Sequence, residues 1–257
     1  MSGGDGMIYA AERYVANAED CWFYHVMDLP GLGTVGQQWD LRGRVNDYLG
    51  NVELRGKRVL DVGTASGFLT FEMERMGAEV VSLDADGPKC AFLLPFKDQS
   101  FTTNRDEWEA SYRSFLDRMN NGYWLAHRLN KSKAKVVYTN VYSIPPELGQ
   151  FDVAVMGQIL VHLSDPVRAL SSVLDRVRGE IVVTEGMLDN DEPLMALCGR
   201  AANNVADGWW HLSTGLYREI FTMAGFKIKN ITHGKFRCVN PNFPSEQRLT
   251  TIVARRI

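Results

Sequence analysis

Asp61-x-Gly63-x-Ala65-x-Gly67 is a carboxylate followed by small residues at alternate positions, directly after the apolar pair Val59-Leu60. That pattern reads as a buried strand running into a tight turn. A second apolar run, Val80-Val81-Ser82-Leu83, ends in Asp84. Asp84 stands about twenty residues beyond the turn, where nucleotide-binding α/β units place the acid that holds a ribose. The chemistry these residues suit is the capture of a nucleoside by its sugar hydroxyls, with its other end laid across the turn.

The turn also says which nucleoside. A dinucleotide pyrophosphate needs G-x-G-x-x-G, so that backbone and helix N-terminus crowd the phosphates. Counting from Gly63, this chain has Ala65 and Phe68 at the second and third glycine positions. Phe68 would spoil close helix packing at the third. S-adenosylmethionine has no phosphate to cradle, needs only an unobstructed turn, and tolerates an acid near its cationic end. The expected cofactor is therefore S-adenosylmethionine.

If the group to be alkylated is a hydroxyl, a general base helps. His162 follows the apolar run 151–156 and has the right pKa class; its alternative role is a histidine bonded within its loop. Glu185, at the end of another apolar run, His211, after Trp209-Trp210, and His25, in an aromatic stretch, are further candidates. Asp189, Asp191 and Glu192 could hold magnesium or form a solvated loop, and no metal site is assigned. Trp22, Phe23, Tyr24, Trp209 and Trp210 could wall a pocket for a sugar or an aromatic molecule, or equally be core or interface.

The elements that must position these residues alternate. Strands are expected at 58–62, 79–83, 136–138, 151–156 and 180–184, and a closing hairpin at 226–232 and 249–254. Helices are expected at 8–18, at 41–49 and between Leu69 and Gly77. Another starts at Asp165-Pro166, buries Val167, Leu170, Leu174 and Val177, and ends at Gly179. A further one is capped by Ser213 or Thr214 and stops at Gly225. Trp108, Tyr112, Phe115 and Met119 recur at helical spacing, as a core stripe or a cap over a substrate, and Tyr123-Trp124-Leu125 mark another helix. The expectation is an α/β fold: a Rossmann-like, seven-stranded, mostly parallel sheet with helices on both faces. An N-terminal helical and irregular lid segment (1–50) precedes the main domain (51–257), which carries a helical insertion (86–135) and a cap region (186–213).

Composition narrows the class. The 257 residues are 45% apolar, enough for a sizeable core. A net charge of -3 supplies no global field for nucleic acid. Cys21, Cys90, Cys198 and Cys238 are scattered without C-x-x-C pairs, against a zinc site or disulfide frame. No apolar leader or membrane span is visible, and a cytoplasmic setting is expected.

With Trp22-Phe23, Asp28-Leu29-Pro30, Trp39-Asp40-Leu41-Arg42, Phe151-Asp152-Val153, Gly157 to Leu163, Asp165-Pro166 and Ser245 to Arg248 added to the turn motif, the chain resembles class I S-adenosylmethionine-dependent methyltransferases. Within them it is similar to the group of the tRNA wobble-uridine carboxymethyltransferases, which also holds small-molecule enzymes. The resemblance implies that Asp61, Gly63, Ala65 and Gly67 surround the methionine part and that Asp84 holds the ribose. It implies that Ala85, Asn140 and Val141 border the adenine and that Gln158 faces the sulfonium. Trp39 closes the cofactor pocket or anchors the leading segment. Where the wobble-uridine enzymes carry a tyrosine before the histidine this chain has Val161, and it has no lysine from Cys21 to Asp40. The expected activity is transfer of a methyl group to an oxygen, before a nitrogen, of a small molecule such as a saccharide or secondary metabolite. The alternatives are a tRNA-modifying enzyme and a non-catalytic cofactor-binding module.

Overall fold

The computed structural model describes residues 8–85, 87, 105–198 and 208–257. In chain order the elements are β1 (Met27–Leu29), β2 (Gly33–Val35), β3 (Trp39–Asp40), α1 (Val45–Tyr48), β4 (Arg58–Val62), α2 (Phe68–Arg75), β5 (Glu79–Asp84) and α3 (Arg105–Asn130). There follow β6 (Lys135–Tyr138), β7 (Phe151–Gly157), α4 (Pro166–Leu174), β8 (Val177–Glu185), β9 (Met195–Leu197), β10 (Trp210–Leu212), α5 (Thr214–Met223), β11 (Phe226–Cys238) and β12 (Glu246–Arg256).

The main sheet has the order β3-β11-β12-β8-β7-β4-β5-β6. Strands β4 to β8 run parallel, and β12, β11 and β3 add antiparallel at one edge. Helices cover both faces, and each face has its own core. Val59, Val80 and Val136 pack with α2 and α3, whereas Leu60, Val62, Leu83 and Met156 pack with α4 and α5. The central strands are apolar on both sides because both sides are covered.

Two helix starts follow from their capping residues. The Asp165 carboxylate accepts the Arg168 N–H at 3.0 Å, with Pro166 at the first helical position. Ser213 Oγ accepts the Leu216 N–H at 3.0 Å.

Several expectations are corrected. The sheet has eight strands among the described residues, because the two-residue β3 pairs with the far end of β11. Residues 8–18 are not a helix; only a single turn, Ala18–Asp20, forms there. The stripe on Tyr112, Phe115 and Met119 and the segment Tyr123-Trp124-Leu125 belong to one 26-residue helix, α3; the side chain of Trp108 lies outside those described. Helix α4 ends at Leu174, Val167 is exposed, and Val177 and Gly179 belong to β8. Gly179 lies against the Asp152 carbonyl, where a Cβ has no room. Parts of the expected insertion (86 and 88–104) and cap (199–207), with Cys90, fall outside the described residues.

Candidate active site

The carboxyl ends of β4, β5, β6 and β7 open into one cavity of about 420 Å³. That is the end of an open α/β sheet at which ligands bind. Asp61, Gly63, Ala65, Asp84, Ala85, Val141, Gln158 and His162 all line it. The structure therefore brings together eight residues that the sequence singled out separately.

The loop after β4 is built by close approach. Gly67 starts α2 at φ +87°, and a Cβ there would lie 2.6 Å from the Phe71 ring and 2.8 Å from that of Tyr123. Gly63 sits at φ +77°, and a Cβ would lie 2.9 Å from Ile159. Only glycine fits both the conformation and the space. Ala65 holds φ +50° without that freedom, and its N–H donates to Asp84 Oδ2 at 2.8 Å. The Ala85 N–H donates to Asp84 Oδ1 at 2.7 Å. Each carboxylate oxygen keeps a further lone pair for a hydroxyl. Burial pushes the Asp84 carboxyl up to about 6, against the pull of the two N–H groups.

Asp61 anchors a buried hydroxyl chain beneath the same loop. Thr70 Oγ1 donates to Asp61 Oδ2 at 2.6 Å. With its proton committed, Thr70 accepts from Ser82 at 2.7 Å, and Ser82 accepts from Tyr123 at 2.9 Å. Desolvation raises the Asp61 carboxyl to about 6, opposed by the bonds from Thr70 and Thr64. One carboxylate oxygen edge is thus held rigidly while the residue also faces the cavity.

At the end of β7, Gln158 adopts φ +53°. Its Oε1 accepts the Gly186 N–H at 3.1 Å. A single helical turn, Leu160–His162, follows and presents His162 to the cavity.

The other expected site residues lie elsewhere. Glu185 is buried behind that turn, where Oε1 accepts the Leu160 N–H at 2.5 Å and Oε2 receives the Tyr217 hydroxyl at 3.5 Å. Burial raises its carboxyl to about 7, and the backbone bonds from Leu160, Ile159 and Val161 oppose that. It braces the His162 turn rather than lining the cavity. His211, on β10, is outside the lining, and desolvation lowers its pKa. Gly67 shapes the loop from below. Asn140 turns its Oδ1 to the Tyr142 N–H at 2.8 Å, while its neighbours Thr139 and Val141 line the cavity. Trp39 is buried in β3, and its Nε1–H donates to the Tyr24 hydroxyl at 3.1 Å. It supports a lining residue from behind.

Asp189 and Asp191 pair at the surface with Arg248 at 3.5 Å and Arg218 at 3.1 Å. Of the clustered aromatics, Trp22 and Tyr24 line the cavity, whereas Phe23 and Trp209 are core. Trp22 packs edge-on against Phe115 of α3, centroids 4.7 Å apart. Sequence reasoning gave α3 no certain place at the site; its residues Tyr112, Phe115, Leu116 and Met119 form one wall. Nor did it find Gln38, Asn240 and Phe243, which the β3–β11 pairing brings to the rim.

The donor set fits a nucleoside with an amino-acid tail. Two glycines leave no Cβ over the turn, a carboxylate with free lone pairs faces the space beside it, and a second acid lies below. No lysine or arginine is among the described residues lining the cavity.

A family model described as a methyltransferase domain matches residues 39–230. No curated protein matches the chain in sequence. Among solved structures, a SAM-dependent methyltransferase from Methanosarcina mazei is similar, with a TM-score of 0.54 at 18% identity over 85% of this chain and 99% of that one. The magnesium protoporphyrin IX methyltransferase of Synechocystis PCC 6803, solved with bound SAH, gives a TM-score of 0.52 at 12% identity over 83% and 80% of the two chains.

Proposed function

For this chain, which belongs to the methyltransferase-domain family and is an S-adenosylmethionine-dependent methyltransferase, we propose methyl transfer to an oxygen of a small molecule. One observation carries the reading. The turn after β4, Asp84, Gln158, His162 and an aromatic wall share a single cavity without a lysine or arginine among its described lining residues.

Bound S-adenosylmethionine supplies a methyl group on a sulfonium and departs as S-adenosylhomocysteine. In this reading Asp84 accepts from the ribose hydroxyls, Ala85 and Val141 flank the adenine, and Asp61, Gly63 and Ala65 surround the methionine part. Gln158 and His162 face the reacting centre. His162 would take the proton that the acceptor hydroxyl gives up when its oxygen receives the methyl group. Alignment and exclusion of water supply most of such a rate. Residues Trp22, Tyr24, His25 and Gln38 of the leading segment 1–50 work as the lid.

The acceptor is a small molecule, a saccharide or secondary metabolite. The Synechocystis neighbour, by its name, methylates a magnesium porphyrin, also a small molecule. A polynucleotide acceptor would call for cationic side chains at the mouth. Kinship with the wobble-uridine-like group is supported by the stretches Trp22-Phe23, Asp28 to Pro30, Trp39 to Arg42, Phe151 to Val153, Gly157 to Leu163, Asp165-Pro166 and Ser245 to Arg248. A reducing, cytoplasmic setting suits the free Cys21, Cys198 and Cys238. No described helix is long and apolar enough to cross a membrane.

The test is a radiolabelled methyl-transfer screen over hydroxylated aromatics, saccharides and bulk tRNA, run with wild type and His162→Ala. Transfer to a small hydroxyl compound, slowed at least about a hundredfold in the variant while S-adenosylhomocysteine still binds, is expected. Transfer to tRNA alone would sink the acceptor class, and equal turnover in both proteins would remove His162 from the chemistry.

A further inference from the structure

The described lining of the cavity carries two acids, Asp61 and Asp84, and no lysine or arginine. A methionine-derived tail has both a carboxylate and an ammonium. Asp61 suits the ammonium. The described lining offers the carboxylate neutral donors.

Two sets of neutral donors lie close together beside the glycine turn. The first is the start of α2, where the earliest N–H groups of the eight-residue helix have no partner within it. An anion there is favoured by the helix dipole as well. The second is His25. Its ring stacks on Phe68, the first residue of α2, with centroids 5.5 Å apart. It lines the cavity and is 6% exposed. Its Nδ1 is buried without a hydrogen-bond partner among the described residues. A buried polar atom without a partner is costly in a folded protein and points to a ligand that completes it. The backbone holds it there firmly. The Tyr24 N–H donates to Ser66 Oγ of the glycine turn at 2.9 Å, and the Val26 N–H donates to the Trp39 carbonyl at 2.7 Å.

Resting on the methyltransferase reading, we propose that His25 is a cofactor-binding residue. Its Nδ1–H donates to the α-carboxylate of S-adenosylmethionine, which it pins against the start of α2. The imidazole is suited to this by being neutral. Burial alone drives its pKa down to about 3, so at neutral pH it adds no positive charge beside the ligand's own sulfonium and ammonium. A lysine or arginine in that place would attract the carboxylate but repel the reacting sulfonium. The lid segment thus reads the amino-acid end of the cofactor while covering it.

The test compares two ligands that differ in that end. S-adenosylhomocysteine carries the amino-acid tail, and 5′-methylthioadenosine keeps the thioether nucleoside without it. Calorimetric dissociation constants are measured for both with wild type, His25→Leu and His25→Gln. We expect His25→Leu to weaken S-adenosylhomocysteine by about tenfold or more and to leave 5′-methylthioadenosine within about twofold. His25→Gln, which keeps a donor, restores most of the loss. Equal weakening of the two ligands, or no weakening of either, overturns the proposal. Imidazole nitrogen NMR on the wild-type protein gives an answer that needs no variant. The His25 Nδ1 signal should move on adding S-adenosylhomocysteine and stay on adding 5′-methylthioadenosine, and the same movement with both would refute the assignment. Wild-type binding of 5′-methylthioadenosine as tight as that of S-adenosylhomocysteine defeats this inference alone. Absence of binding by either defeats the methyltransferase reading beneath it.

Discussion

Replacing Asp84 by asparagine separates the job its carboxylate performs in the loop from the ribose contact proposed for it. In the wild type each oxygen accepts one backbone N–H, from Ala65 at 2.8 Å and Ala85 at 2.7 Å, and has capacity left for a ribose hydroxyl. Asparagine has one acceptor oxygen. Its NH₂ must face either a backbone donor or a ligand hydroxyl that no longer finds an anion. A hydrogen bond to a charged acceptor contributes about 1.5–3 kcal/mol, so loss of one weakens S-adenosylhomocysteine roughly ten- to a hundredfold. Stability changes less, because its two parts oppose each other. One N–H left unpaired costs about 1–3 kcal/mol, and removal of a desolvated carboxylate at neutral pH offsets part of it. The pH profile adds an independent sign. In the proposed assignment the ribose hydroxyls bond to the ionised form, and the free protein holds that carboxyl up at about 6. Binding below that pH must therefore expel a proton, and affinity falls up to about tenfold per unit. Above pH 7 it is flat. Asp61, also raised to about 6, adds the same dependence if it meets the ammonium. Calorimetric titrations from pH 5 to 8, with thermal melts alongside, read all of this. An asparagine variant that binds within about twofold of wild type and keeps the same acid-side decline would refute the assignment of Asp84 to the ribose.

Other expectations follow from the same geometry. Gly67→Ala must hold φ +87° and place a Cβ 2.6 Å from the Phe71 ring, so it should lose about 2–4 kcal/mol of stability; a thermal midpoint equal to wild type would mean the loop relaxes freely. Glu185→Gln should flatten the dependence of stability on pH. The folded carboxyl is raised to about 7 from its ordinary 4.5, so wild type binds this proton more tightly when folded and loses stability as pH rises through that window. Melts at pH 5 and 8 that differ equally in both proteins would contradict this.

How far the sequence spoke depended on whether a structure has a local cause. Strand β4 was legible to the residue, since Val59, Leu60 and Val62 are apolar around the single Asp61 and the run ends at a glycine with positive φ. The start of α4 was legible because Asp165 and Pro166 act within one turn. What failed had causes elsewhere in the chain. Strand β3 is two residues long and exists through its pairing with Arg237 and Cys238. The helix expected over 8–18 gives way to chain without regular secondary structure, where the Ala10 N–H donates to the Val136 carbonyl and the Val15 carbonyl accepts from Arg128. Gly179 read as a helix stop, but the glycine is required by the Asp152 carbonyl of the neighbouring strand. At the site, residues on the glycine turn could be read from spacing. Glu185 and His25 could not, because a residue type does not reveal which side of a turn it faces or whether a nitrogen is left unpaired.

The position of the site follows from the order of the strands. Strand β4 has β5 on one side and β7 on the other, and the chain order reverses there. Loops leaving β4 and β7 are carried to opposite faces of the sheet, α2 with one core and α4 with the other. A crevice must open between them. The residues in left-handed conformation without being glycine include Ala65 after β4 and Gln158 after β7, one on each lip of that crevice. Such positions cost about 1–3 kcal/mol each and persist only where neighbours over-determine them. Ala65 is held by the Asp84 carboxylate and Gln158 by the Thr184 carbonyl at 2.9 Å. The first of these restraints is the acid assigned to the ribose. The loop after β4 and the acid at the end of β5 are therefore one mechanical unit, and a ligand that engages Asp84, as proposed for the cofactor's ribose, would meet a turn already set in its strained shape.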